Sequence, residues 1–557
     1  MTLRVTGVGD TKGRRQFLHD AAAAVTATAS AAVLGSVAGC STPRGAAPAR
    51  STTSTPAPLS TTTEPVDPAA WSQLAGTLDG SLVLPTSASY ASATLVYNLP
   101  YTAVLPAAVA YCASASDVQR CVSFARAHGL PATPRSGGHS YAGYSTGPGL
   151  VIDVSRLNAV SPDTVSPDTG TGGGSGAGRG TIGAGTQLVD VYDRLSTAGL
   201  LLPAGSCPSV GIAGLTLGGG IGVVGRKYGL TCDNLLSLDT VTADGRLVTA
   251  DAGQNADLFW ASRGGGGGNF GIVTSFTFAL HPIPELSLFT INWPWPAAAD
   301  VLGAWQLWTS SAPDELWSNC QLQSAGSGGL NVRTNGVFVG TTAALTTVLR
   351  PFLAQAGPPR SQFVGSDPYL HTMLVEAGCE DLSVAQCHLT GGDTAGTLAR
   401  SSFAATSAYV LSALSDAGMA ACVGAVENLQ AQLPELGGGI VFDAYGGVIN
   451  TVAPADTAFV HRTALCAMQS SASWGPGAPA ATVSAAKGWL QQSAAALAPF
   501  VSRFAYQNYI DPTLLDWPYA YYGTNLPRLV DVKRRYDPDD VFHFAQSIPT
   551  DLPVPPG

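Results

Sequence analysis

The sequence predicts an α+β protein built from more than one domain, and three observations carry this. The chain of 557 residues is longer than one hydrophobic core sustains; at about 150 residues per domain it divides into two or three. From Ala103 short apolar strands alternate with amphipathic helices. After His281-Pro282-Ile283-Pro284 the texture changes to strands mixed with Ala-rich helices, and residues 501–557 form a further stretch rich in Tyr, Asp and Pro.

Residues 1–39 belong to no domain. Thr11-Lys12-Gly13-Arg14-Arg15-Gln16-Phe17-Leu18 reads as a twin-arginine export signal, followed from Ala21 to Ala38 by a weakly apolar run too short and too rich in Ala and Thr to span a membrane. Val37-Ala38-Gly39-Cys40 has the pattern of a lipobox, which leaves Cys40 as a lipidated first residue. Residues 40–69, largely Ser, Thr, Pro and Ala, cannot bury enough surface to fold and read as a spacer. The expectation is an extracytoplasmic protein that touches the membrane only through that lipid, with a secreted protein as the alternative.

Residues 70–285 form the first domain. Its opening, to about residue 100, reads as irregular, with turns at Asp79-Gly80 and Leu99-Pro100. Ser116–His128 has helical periodicity, with Ser116 as N-cap and Gly129 as stop. Leu150–Val154 reads as a buried strand, and residues 161–180 as a low-complexity surface loop with structure resuming at Thr181. Gln187–Leu195 is a short helix; Leu238–Phe278 holds two or three strands, with Asp244-Gly245 as a hairpin turn. Within residues 286–500, helices are expected at Pro296–Ser311, Thr342–Ala356, Ser412–Leu433 and Val483–Leu497.

The net charge of −10, with 11% charged residues, argues against nucleic acid, which requires a basic face. A mean hydropathy of +0.19 comes from Ala and Gly rather than from long apolar runs. Of ten cysteines, none has CxxC zinc spacing, so no metal site is expected. Cys379 and Cys387, in a polar stretch, are the expected disulfide; the rest are open between disulfides and buried thiols.

Two glycine turns carry the chemistry. The first is Arg135-Ser136-Gly137-Gly138-His139-Ser140-Tyr141, where small residues expose successive N–H groups to an anion. It lacks the GxGxxG dinucleotide fingerprint, so it is not a Rossmann site. The second is Gly205-Ser206-Cys207-Pro208-Ser209-Val210-Gly211-Ile212-Ala213-Gly214-Leu215-Thr216-Leu217-Gly218-Gly219-Gly220-Ile221-Gly222. Glycine this dense is costly to order, and a backbone lying flat against a planar ring is a reason for it. Arg226-Lys227-Tyr228-Gly229, Gly268-Asn269-Phe270-Gly271-Ile272-Val273, Tyr506-Gln507-Asn508-Tyr509-Ile510-Asp511 and Tyr522-Gly523-Thr524-Asn525 continue the pattern.

Together these segments resemble the FAD-linked oxidases related to berberine bridge enzyme, within the vanillyl-alcohol oxidase superfamily, and most closely their bicovalent branch, which includes gluco-oligosaccharide oxidases. The resemblance implies a two-lobed PCMH-type FAD-binding domain, a separate α+β substrate domain and a C-terminal segment returning to the FAD domain. It implies FAD bonded through the 8α-methyl to His139 and through C6 to Cys207. Arg135, Ser136, Gly137, Gly138, Ser140, Val210, Gly211, Gly214, Gly218, Gly219, Gly220, Gly222, Val273, Tyr522 and Asn525 would line the cofactor.

The activity implied is removal of hydride from an alcohol, with oxygen reduced to hydrogen peroxide. Tyr509 would remove the hydroxyl proton, with Gln469 or a neighbouring tyrosine as its proton partner. A sugar oxidised at its anomeric carbon is the first substrate expected. A bulky phenolic or secondary-metabolite substrate, or a tethered dehydrogenase that passes electrons to a quinone, is the alternative. One position departs from the plant relatives: Leu215 stands where they often carry a histidine over the flavin N1–C2 locus, which should lower the flavin potential. Val210 is the residue oxygen-reactive relatives carry where dehydrogenases tend to have leucine.

Overall fold

The computed structural model describes residues 66–163, 178–392 and 395–553. The export signal, Cys40, almost all of the spacer and most of the low-complexity loop lie outside the described residues.

Three sheets organise the chain. The first has strands β1 (Ser81–Val83), β2 (Ala108–Tyr111), β3 (Ala132–Arg135) and β4 (Leu150–Asp153) in the order β1-β2-β4-β3. The pairs β2–β4 and β3–β4 are parallel, so β4 is central and buried along its length. The second sheet contains β5 (Val160–Pro162), β6 (Gly178–Gly183), β7 (Leu200–Leu201), β8 (Leu235–Val241), β9 (Leu247–Asp251) and β10 (Ile272–Pro282). The third begins after Pro282 and has seven antiparallel strands: β11 (Leu286–Trp293), β12 (Leu316–Ala325), β13 (Leu330–Val339), β14 (Ser361–Ser366), β15 (Ser402–Val410), β16 (Gly437–Ala444) and β17 (Cys466–Trp474).

Several boundaries differ from the sequence expectation, each for a local reason. The stretch after residue 66 is not irregular: Pro68–Thr77 is a helix, with the Asp67 side chain accepting from the Ala69 N–H and Pro68 at its first position. Asp-Pro is a helix-start signal that the polar flanks hide. The next helix is Ala115–Ala127, and its cap is Ser114, whose hydroxyl accepts from Asp117 N; Ser116 lies inside the first turn. Strand β6 starts at Gly178 rather than Thr181, because Gly178–Gly180 pair with Phe278–Leu280 across the sheet. Trp295–Ala297 is a 3-10 turn ahead of the helix Ala298–Ser311, and Ser415 caps a helix that begins only at Asp416. Thr342–Ala356 forms as expected.

The helices of the third unit cover one face of its sheet and bury Phe289, Ile291, Trp293, Leu322, Val332 and Phe442. The alternation of strands turns the opposite face, which carries Asn319, Gln321, Asn335, Asp443 and Gln469, toward the first two sheets. Two arginines hold that junction. Arg226 donates from Nη1 to the carbonyls of Thr309 and Tyr445, and Arg462 is fully buried and bidentate to Asp233, at 2.6 and 2.8 Å.

Cys379 and Cys387 form a disulfide with a Cα–Cα distance of 5.9 Å. Cys112, Cys121, Cys232, Cys320, Cys422 and Cys466 are buried free thiols, so of the two alternatives left open the buried thiol holds for these six.

Candidate active site

The two glycine turns are brought together by the absence of side chains. A Cβ on Gly137 would strike the backbone N of Gly211, and one on Gly211 would strike Gly137 N and Ser136 Oγ. No residue larger than glycine permits this approach. It sets His139 beside the cysteine turn: Nε2 lies 2.9 Å from Ser209 Oγ, two residues beyond Cys207. Val210 N donates to Cys207 O at 3.3 Å, closing the turn.

Cys207 is solvent-accessible, yet burial raises its thiol above its ordinary value. Both follow if the sulfur faces a recess enclosed by protein and not the outer surface. His139 is half-buried; burial, aided by Arg400, pulls its imidazole down to about 3, so the ring is neutral.

The recess fits an FAD on three counts. Gly138 has φ of +71°, and the N–H groups of Gly137, Gly138 and His139 donate to nothing among the described residues, which leaves a nest for a pyrophosphate. A Cβ on Gly214 would meet nothing within 4 Å, so this backbone borders open space where a ring could lie. Thr216 Oγ1, in the short helix Ile212–Leu217, and Gln507 Oε1, beside Gly218, are buried without a partner.

Other expected cofactor residues act first on the chain itself. Arg135 is paired with Asp153 at 2.5 Å across β3 and β4, leaving its Nη1 buried and unpartnered. Ser136 donates to Ala184 O at 2.7 Å, and Ser140 Oγ accepts from Tyr144 N. Tyr522 donates to Gly265 O at 3.0 Å; Asn525 Nδ2 reaches Pro454 O and Thr457 O at 2.7 and 3.1 Å. Val210 and Val273 pack into or against the first core. Gly219 has φ of +126°, and the neighbouring Gly220 N–H donates to the Tyr506 hydroxyl at 2.9 Å. At Gly218 and Gly222 a Cβ would strike Asn508 and Ala204, respectively.

Opposite the flavin-turn residues stands a wall of aromatic and polar side chains. Tyr141 stacks on Tyr509 with centroids 5.5 Å apart, and Tyr506 meets Tyr509 edge-on at 4.9 Å. Burial, then the charge of Asp443, pushes the Tyr509 hydroxyl well above its usual value. The amide of Gln469 donates to the hydroxyl of Tyr141, the tyrosine stacked on Tyr509, at 3.1 Å. Register explains this, since Gln469 lies across from Ser407 on β15, the strand whose Phe403 packs edge-on against Tyr141.

Sequence reasoning missed the carboxyls. Asp443 lies directly across from Asn319, which lies across from Asn335. Asn335 Nδ2 donates to Glu376 at 3.3 Å, and Gln321 Nε2 bridges the Asn319 and Asn335 oxygens at 3.2 and 3.0 Å. Burial raises Asp443 and Glu376 each to about 7. The signal was a run of amides at alternate positions of β12 and β13, which mark a solvated or ligand-facing side of a sheet otherwise buried.

A glycine-lined recess with a neutral histidine and a cysteine at one end, and a tyrosine–carboxyl cluster facing it, defines a flavin-dependent oxidoreductase. Comparison with known proteins agrees. The FAD binding domain family matches residues 106–251, and the Berberine and berberine like family matches residues 505–549. The chain is 34% identical over 478 residues to the uncharacterized FAD-linked oxidoreductase YgaK of Bacillus subtilis, covering 85% of this chain and 97% of that protein. Among solved structures, Physcomitrella patens BBE-like 1 is similar with a TM-score of 0.77 at 30% identity, over 86% of this chain and 99% of that one. The glucooligosaccharide oxidase of Acremonium strictum, which holds a 6-S-cysteinyl, 8α-N1-histidyl FAD, has a TM-score of 0.74 at 25% identity over 86% and 99% of the two chains. The protein belongs to the berberine bridge enzyme-like family of FAD-linked oxidoreductases.

Proposed function

We propose that the protein is an exported flavin oxidase that holds FAD through both His139 and Cys207 and oxidises an alcohol, first of all the anomeric hydroxyl of a sugar. The observation that carries this is the 2.9 Å contact between His139 and Ser209, two residues beyond Cys207, which supports His139 and Cys207 as joint attachment residues. That a similar solved protein is a glucooligosaccharide oxidase supports the substrate class. The Arg14-Arg15 signal and the Cys40 lipobox support export and a lipid anchor. Val210, smaller than leucine, supports oxygen as acceptor.

Held by His139 and Cys207, FAD would supply a hydride acceptor whose electrons oxygen could take up as peroxide. The chain supplies the rest. Tyr509 starts protonated, so it takes the substrate's hydroxyl proton only as its own leaves; Asp443, the carboxyl whose charge acts on it, is the acceptor this reading assigns. Gln469 fixes Tyr141, whose ring holds the face of Tyr509. The amides of Asn319, Gln321 and Asn335 offer paired donors and acceptors suited to a polyhydroxylated molecule.

The test is an oxygen electrode with a peroxide assay on the purified holoenzyme, across aldoses, oligosaccharides and phenolic alcohols. The expected result is one peroxide formed per lactone produced from a sugar. Turnover only with phenolic alcohols would overturn the substrate class. Flavin reduced by a sugar but reoxidised only by a quinone would overturn the acceptor.

A further inference from the structure

His139 is held on two sides. Its ring stacks on Tyr97 at a centroid distance of 3.9 Å and 18° between planes. Tyr97 cannot drift, because its N–H donates to Gly138 O at 3.0 Å and its carbonyl accepts from Ser401 N at 3.1 Å. On the ring's edge, Nε2 meets the hydroxyl of Ser209, which is 2% exposed and follows Pro208 in the cysteine turn. Nδ1 has no hydrogen-bond partner among the described residues, and it is not among the buried unpartnered atoms, so it opens on the recess. A stacked plane and one bonded edge fix both side-chain torsions of a histidine and leave one nitrogen free to react.

We propose that Ser209 and Tyr97 are positioning residues for flavin attachment: the Ser209 hydroxyl holds Nε2 and the Tyr97 ring holds the imidazole plane, so that Nδ1 is the nitrogen joined to the 8α-carbon. This rests on the histidyl attachment proposed above. The step balances as follows. The Nδ1 lone pair forms the N–C bond as one C–H bond of the 8α-methyl breaks. The methyl hydrogen leaves as a proton and the electron pair of that bond enters the flavin ring. Nε2 gives up its proton, so the product imidazole is again neutral. Molecular oxygen takes the two electrons and two protons as hydrogen peroxide, regenerating oxidised flavin.

This sequence explains why the partner is a hydroxyl. Before the step Nε2 carries a hydrogen and Ser209 Oγ accepts it; afterwards Nε2 carries a lone pair and the same hydroxyl donates to it. Serine and threonine can do both by rotating one O–H, whereas a carbonyl can only accept and an ammonium can only donate.

The experiment uses full-length protein with Cys207→Ala, which isolates the histidyl bond. Apoprotein is mixed with excess FAD under air, and covalent flavin is followed by acid precipitation and intact mass, with FAD capture measured separately by fluorescence quenching. Adding Ser209→Ala is expected to slow attachment roughly tenfold or more, the worth of one hydrogen bond on a rate, with FAD capture unchanged. Ser209→Thr and Tyr97→Phe are expected to attach flavin at the parent's rate, and Tyr97→Ala to slow it. Parent-like attachment in Ser209→Ala, or equal slowing in Ser209→Ala and Ser209→Thr, would overturn the role of the hydroxyl. A Cys207→Ala parent that captures FAD but never bonds it would instead remove the histidyl attachment itself, and this inference with it.

Discussion

Replacing Tyr509 by phenylalanine lowers the rate of anaerobic flavin reduction by substrate about 10²- to 10⁴-fold, the range for loss of a positioned general base. Phe preserves the stack on Tyr141 and the edge contact with Tyr506, so the loss reports the hydroxyl and not the packing. Stopped-flow absorbance measures it directly, and an unchanged rate in Tyr509→Phe would remove the base assignment. The same assay carries a pH signature. Asp443 and Glu376 are both raised to about 7 by burial. Asp443 accepts a proton only when ionised, so the reduction rate climbs as pH rises through about 7 and levels above it. Asp443→Asn lowers the plateau and removes the Asp443 contribution to the rise, whereas the Tyr141 and Tyr509 hydroxyls, held above their usual range, do not titrate in this window.

The second large effect is on stability. Lys533, in the C-terminal helix Leu526–Tyr536, is completely buried. Its ammonium bonds Asp537 at 2.7 Å, Asp540 at 2.9 Å, Phe542 O at 2.9 Å and Asn269 O at 3.1 Å. Asn269 in turn accepts from Ile548 N and donates to Gly265 O, the carbonyl that also takes the Tyr522 hydroxyl. Lys533 therefore ties the returning C-terminal segment to the loop beneath the flavin recess. Lys533→Met strands the Asp537 carboxylate in the interior and costs about 3–5 kcal/mol. Urea unfolding measures the loss, and Lys533→Met with Asp537→Asn recovers part of it, because the fully buried carboxylate is then neutral while Asp540, the half-buried second partner, stays charged. Equal midpoints for Lys533→Met and the unmutated protein would show that the pair is not structural.

Much of the site was legible because its signals are local. The two glycine turns, Tyr509 and the Cys379–Cys387 bridge each sit within a few residues that allow little else. What was hidden depends on pairing between distant strands. Asp443 and Asn319 become neighbours only through the β12–β16 register, and alternation alone does not say which face of a sheet meets a second domain. Gln469 was singled out, but its bond to the Tyr141 hydroxyl was not readable, because it depends on β17 meeting the first glycine turn. Tyr97 left no trace: it lies in a short stretch without periodicity, and only the fold brings it onto His139. The helix at Pro68–Thr77 was obscured for the opposite reason, since its Asp-Pro start follows directly on a spacer of similar composition.

The central claim is that His139 and Cys207 both hold the flavin. Acid precipitation of the purified holoenzyme, followed by an absorbance spectrum and intact mass of the washed protein, tests it most directly. The expected result is a yellow pellet carrying one FAD, retained in both His139→Ala and Cys207→Ala singly and lost only when the two are combined. A colourless pellet from protein that had bound FAD would contradict it, as would a single variant that releases all of its flavin.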